Sequence, residues 1–145
     1  HNFDFTDTSA AYADIYNALT RVLNELYGRN NQAEGEITLY VSGEIYENWE
    51  RLRDAIHTDG SILSSIMKMS KIKNVVKLHE LENNEMLGVI WDRQYVQMLV
   101  GMPLSTVPIE RKTPMDNYQF LTWTAAGLQI RGDYNNRGGA FYAAS

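Results

Sequence analysis

Apolar positions recur along the first part of this chain at a helical spacing and later at a strand spacing. Within residues 10–27, Ile15, Leu19, Val22, Leu23 and Leu26 form one stripe at period 3.6, which predicts a helix. Asp7, Thr8 and Ser9 each offer an N-cap oxygen, and Asp14 lies where the helix dipole favours an anion. Gly28 stands where a left-handed C-cap is expected, and the polar residues 29–32 follow. The stripe reads as core packing. A partner-binding helix is the alternative, because its other face carries few charges. Residues 1–9 form an extended lead-in whose Phe3 and Phe5 can dock on one face.

Residues 37–41 alternate as a strand with one apolar face. Ser42 and Gly43 break it, and residues 44–56 predict a helix with Ile45, Trp49, Leu52 and Ile56 on one side and Ser42 as cap. A turn at residues 57–60 leads to Ser61, which caps a short Met- and Ile-rich helix over 62–69. Residues 75–81 predict a strand holding His79 as a satisfied structural residue, and Asn83-Asn84 is a turn pair. Residues 86–111 are the densest in Val, Ile, Leu, Met and aromatics. They predict strands at 86–91 and 95–100, turned by Asp92-Arg93, with Pro103 and Pro108 ending regular pairing. This stretch is expected to be the centre of the sheet on which the helices pack. A polar link at 112–117, two strands at 118–124 and 126–131, a turn region at 133–139 and a short strand at 140–144 complete the chain. The fold class is α+β, with a central mixed or antiparallel sheet flanked by two or three helices. The expected division is a lead-in over 1–9 and a single domain over 10–145.

Composition narrows the function. A chain of 145 residues suits one core. A net charge of −5 argues against a nucleic-acid binder, which is usually basic, and no sequence-specific nucleic-acid partner is expected. The absence of cysteine excludes disulfides and thiolate metal sites. No apolar run approaches a membrane span, so no membrane partner is expected. The chain opens on His1 and not Met, as a processed chain, a trimmed one or a fragment would.

Candidate chemistry is sparse. His1, His57 and His79 are dispersed, and no phosphate loop, dinucleotide fingerprint or nucleophile elbow occurs. Asp4 and Asp7 fall short of a calcium loop. Arg131-Gly132-Asp133 spells an adhesion tripeptide but reads as a turn. Lys68, Lys71, Lys73 and Lys77 are the only basic cluster, read as a solvated face, with a patch for an acidic partner or nucleic acid as the sharper alternative. An enzyme using Asp92, Arg93 and His79 is the weakest reading. No catalytic residue, cofactor or metal is expected, and the pattern fits a domain whose surfaces matter.

Three pieces in order carry a family resemblance. Residues 37–52 (ITLYVSGEIYENWERL) resemble a strand, a small turn and a helix with aromatics early, here Tyr46 and Trp49. Residues 86–103 (MLGVIWDRQYVQMLVGMP) are similar to a strand ending in an aromatic, an Asp-Arg pair, a second strand and a proline. Residues 121–142 resemble a closing strand with glycine, an arginine and a short apolar end. Together, with the helix over 10–27 ahead of them, they resemble the axial domain of tailed-phage major capsid proteins and encapsulins, the Hong Kong 97-type fold.

The resemblance implies a structural subunit of an icosahedral shell, acting by self-assembly into pentamer or hexamer rings in a virion capsid, with other virion or shell proteins as further partners. The alternatives are an encapsulin-like cytoplasmic nanocompartment, or another phage structural or adaptor module that forms no shell. Complete capsid proteins of this class are about twice as long, so the chain is expected to be a fragment, a cleaved product or a reduced axial-domain protein, without the extended loop that carries a cross-link in one branch. By the same resemblance, subunit contacts are expected at two polar turns. One is His57, Thr58, Asp59, Gly60 and Ser61; the other is Lys112, Thr113, Pro114, Met115, Asp116 and Asn117.

Overall fold

The computed structural model describes residues 3–29, 31–54, 60–132 and 137–144. It has three helices and six strands in the order α1 (Tyr12–Tyr27), β1 (Ile37–Val41), α2 (Gly43–Glu50), α3 (Ile62–Met67), β2 (Ile72–Lys77), β3 (Met86–Val89), β4 (Val96–Ile109), β5 (Gln119–Ile130) and β6 (Ala140–Ala143). The fold is α+β, as the pattern predicts. A four-stranded mixed sheet has the order β2-β1-β3-β6. β1 runs parallel to β2 and antiparallel to β3, and β3 is antiparallel to β6. β4 and β5 pair only with each other, as a second, two-stranded sheet.

The core lies between the four-stranded sheet and the helices. Ile15, Leu19, Leu23 and Leu26 of α1 are buried, with Val22 at the rim. They meet Ile37, Leu39 and Val41 of β1, Ile45 and Trp49 of α2, and Ile62 and Ile66 of α3. Trp49 is the largest fully buried side chain. Taking an indole of about 200 Å² out of water is worth roughly 5 kcal/mol before entropy is charged against it. Two glycines let aromatics lie across the backbone. A Cβ on Gly88 would sit 2.3 Å from the Phe141 ring and 2.7 Å from Ile37 Cδ1, and one on Gly139 would sit 2.3 Å from the Tyr95 ring.

The lead-in is pinned by two buried asparagines. Phe5 N–H donates to Asn84 Oδ1 (2.9 Å), and Asn84 Nδ2 donates to the Phe3 carbonyl (2.9 Å). Asn48 Nδ2 donates to the carbonyls of Phe5 and Asp7. Phe5 is buried edge-on against Phe3 and Trp49.

Several local expectations need correction. No side chain caps α1, whose N-cap is Ala11. Asp4 and Asp7 instead close local turns on Thr6 and Ser9, so their oxygens are spent before the helix begins. Gly28 is extended (φ −72°, ψ 178°), and among the described residues of that loop Gln32 and Gly35 are left-handed. α2 ends at Glu50 because Arg51 turns extended, its N–H bonded to Asn48 O and its carbonyl taken by Ile62 N–H. Its guanidinium reaches back to the carbonyls of Thr8 and Ala10. Leu52, expected on the apolar face, is exposed, and Ile56 lies outside the described residues. Ser42 and Ser61 do cap α2 and α3 through the N–H groups of Ile45 and Ser64. His79 is not on a strand but exposed in the turn after β2.

The largest correction concerns residues 86–111. β3 is an inner strand of the main sheet, but β4 leaves it. Pro103 and Pro108 do not end β4. Both strands of a two-stranded ribbon are edges, where a missing N–H can face outward. The strands expected at 118–124 and 126–131 are one continuous β5.

Candidate assembly surface

β4 and β5 form an antiparallel arm beyond the body, with a ladder from Val96↔Ile130 to Ile109↔Gln119. At 3.3 Å per residue, the arm is about 40 Å long. Register shifts between Val100 and Met102 and between Met102 and Ser105 place two bulges in β4, at Gly101 and around Pro103. Neither strand contains an Asp, Glu, Lys or Arg. Even so, its apolar side chains face solvent: Leu104 is 73 % exposed, Met98 67 %, Phe120 64 % and Leu128 61 %. A lone hairpin is marginal in water, and exposed apolar surface of this extent marks a contact site.

The arm's root is held firmly. Asp92 begins the turn out of β3, accepting from Gln94 N–H through its carboxylate and from Tyr95 and Val96 N–H through its carbonyl. Tyr95 and Val96 are buried, and Arg131 N–H donates to Tyr95 O at 2.7 Å. The Tyr95 hydroxyl accepts from Glu34 N–H, and Tyr27 OH donates to Gly35 O. Burial, with the Tyr95 and Glu36 charges adding to it, pushes the Tyr27 phenol up to about 12. Asn31 bridges α1 to the returning chain by donating to the Leu26 and Gly138 carbonyls and accepting from Gly138 N–H.

The turn Lys112, Thr113, Pro114, Met115, Asp116, Asn117 caps the arm's far end. Asp116 N–H bonds to Thr113 O and Thr113 N–H to the Asp116 carboxylate, with Pro114 at the turn's second position. Arg111 stacks over Tyr118 at 4.2 Å and donates to Pro114 O. Met115 stands 93 % exposed at the tip. Of the other expected turn, Gly60 and Ser61 lie at the start of α3, where Gly60 O accepts from Arg53 N–H. His57, Thr58 and Asp59 lie outside the described residues. The tip coincides with the second polar turn expected from the sequence, whereas the arm behind it was not expected. The signal was present in the uncharged residues on both sides of that turn.

The two edges of the main sheet differ. β2 carries Lys73 and Lys77, charges that discourage further pairing. Lys77 Nζ is paired with Glu47 Oε1 at 2.7 Å, which raises its pKa, and Lys71 lies 5.0 Å above the Tyr27 ring, so the lysine cluster is partly engaged. β6 is uncharged. Beside it a cleft of about 380 Å³ runs along α1, lined by Val22, Leu26 and Phe141 among others. Asp92, Arg93 and His79 do not form a set: Asp92 serves the turn at the arm's root, and His79 is exposed after β2. Among the described residues, no group of three His, Asp or Glu side chains is placed to hold a metal, and no helix is long and apolar enough to cross a membrane.

The fold is shared with shell proteins. The virus-like particle from Pyrococcus furiosus matches with a TM-score of 0.57 at 13 % identity, over 93 % of this chain and 53 % of its own. The capsid of Myoviridae phage XM1 matches with a TM-score of 0.64 at 12 % identity, over 92 % of this chain and 46 % of its own. The chain thus spans about half the length of each. No curated protein sequence matches it. Residues 1–143 match a family of unknown function, DUF6260, and the chain belongs to that family.

Proposed function

We propose that this chain is a shell-forming subunit, or the part of one that carries this fold, and that it works by self-assembly. The observation that carries this reading is the uncharged arm held out from a well-packed body, on a fold shared with a virus-like particle and a phage capsid. The arm is rooted through buried Tyr95 and Val96 and presents its apolar residues to solvent. Such residues gain free energy only against another surface.

The finer reading is a phage major capsid protein or a portion of one, located in the virion. An encapsulin-like compartment is the second reading, supported by the virus-like particle among the matches. Rings of identical subunits need one patch to meet a different patch. The arm's tip, Lys112 to Asn117, is our candidate for one contact, and the stretch His57–Ser61 for another. Interface work of this kind requires no catalytic group, and we assign none.

Light scattering on a size-exclusion column over a concentration series tests the proposal. Growth to rings or closed particles is the expected result. A protein that stays monomeric at every concentration, alone and within its full-length gene product, overturns it.

A further inference from the structure

The ladder of the arm comes in two parts. Five consecutive pairs run from Val96↔Ile130 to Val100↔Ala126, and five more from Ser105↔Trp123 to Ile109↔Gln119. Between them a single pair remains, Met102↔Ala125. β4 takes five residue steps from Val100 to Ser105, whereas β5 takes three from Ala126 to Trp123, so β4 holds two extra residues there. Extra residues on one strand interrupt the ladder and bend that strand.

Little else holds the two ladders to one another. Pro103 has no N–H to give to a partner. The Met102 carbonyl accepts from Thr124 Oγ1 at 3.1 Å, and the Pro103 carbonyl from Ser105 Oγ at 3.2 Å. Both bonds are exposed, and water replaces an exposed hydroxyl donor at little net cost. Packing is sparse as well, because Gly101, Ala125, Ala126 and Gly127 carry a methyl group at most. A Cβ on Gly127 would meet nothing within 4 Å, and one on Gly101 would meet only Ala125 O, at 3.7 Å.

On either side of this zone the arm is tied. Towards the body, Tyr95 and Val96 are buried, and Arg131 donates to Tyr95 O through its N–H and to Gln97 Oε1 through its guanidinium. Towards the tip, the Thr106 and Thr122 hydroxyls share a hydrogen bond of 2.9 Å across the strands. The Asp116 carboxylate closes the turn on Thr113 N–H, and Arg111 stacks over Tyr118.

We propose that the arm is jointed at residues 101–104, and that its distal half, residues 105–123, swings as one block while the root half stays fixed to the body. Motion concentrates where buried contacts are few and backbone hydrogen bonds are exposed. The distal ladder and its turn reach about 20 Å past the joint, so a bend of about 15° carries the tip through about 5 Å. The tip therefore takes more than one position over a fixed body. This inference rests on the ladder within β4 and β5, and not on the self-assembly reading.

The chain has no cysteine, so two introduced thiols carry one pair of spin labels. Glu44→Cys on α2 would be combined with Gln129→Cys in the root half or with Gln119→Cys in the distal half, all three positions being exposed. Labelled chain diluted tenfold into unlabelled chain reports distances within one copy by double electron–electron resonance. The distance distribution from 44 to 119 should be at least twice as wide as that from 44 to 129. Removing Gly101 and Pro103 together leaves β4 three steps between Val100 and Ser105, equal to β5. That removal should narrow the distribution from 44 to 119 to the width of the one from 44 to 129. Equal widths with the native β4 overturn the proposal. So does a distribution to 119 that stays wide in a folded protein after the removal, because the motion then lies elsewhere. The two widths with the native β4 decide the matter even where the shortened arm fails to fold. A chain that shows the wide distribution yet never assembles supports the joint and overturns the self-assembly reading alone.

Discussion

Single side chains decide how the lead-in and the arm are tied to the body. Asn84 satisfies both the Phe5 N–H and the Phe3 carbonyl, groups no regular element serves. Asn84→Ala should cost about 2–3 kcal/mol in urea unfolding, because it leaves a buried N–H without an acceptor. Tyr27 gives a second prediction. Its phenol is raised from about 10 to about 12, chiefly by burial, so the folded state holds the proton more tightly than the unfolded one. Stability from this group is full below about pH 10 and falls as pH climbs from 10 toward 12. Tyr27→Phe should flatten that alkaline limb in thermal melts taken across the window. Flat melts in the wild type would contradict the assignment. None of these roles was legible in the sequence. Asn84 reads there as half of a turn pair, and nothing in its neighbours says that a segment 79 residues away needs its amide.

At the level of elements, periodic patterns were read well where a core imposes them. The stripe of α1, the position of β1 and the serine caps of α2 and α3 follow from local sequence, because burial and capping are local demands. β1 departs from its expected single apolar face: as an inner strand it is buried on both faces, Thr38 included. The arm was misread for a physical reason. Apolar density at 86–111 implies a buried sheet centre only if the surface is buried within the same chain, and here β4 faces solvent. The two prolines compounded the error, since an isolated ribbon tolerates them and a central strand does not. The arm contributes no buried residue to the core beyond its root at Tyr95 and Val96. Replacing residues 99–127 by an Asn-Gly turn should therefore leave the body folded, with a melting temperature within a few degrees of wild type, and abolish assembly. Loss of the folded signal in circular dichroism would show that the arm serves the fold and not the partner.

For the whole molecule, the sequence carries a net charge of −5, while the two strands of the arm carry no charge. Like-charged bodies repel at long range, screened beyond about 8–10 Å at ordinary salt, while apolar contact acts only on close approach. Moderate salt should therefore promote association, an outcome that a light-scattering titration checks. The decisive measurement is electron cryomicroscopy of the assembled protein at a resolution that traces β4 and β5. Our account predicts ordered rings or shells in which the arm's apolar side chains are buried. Particles in which the arm projects freely into solvent, or a protein that gives only monomers, would contradict it.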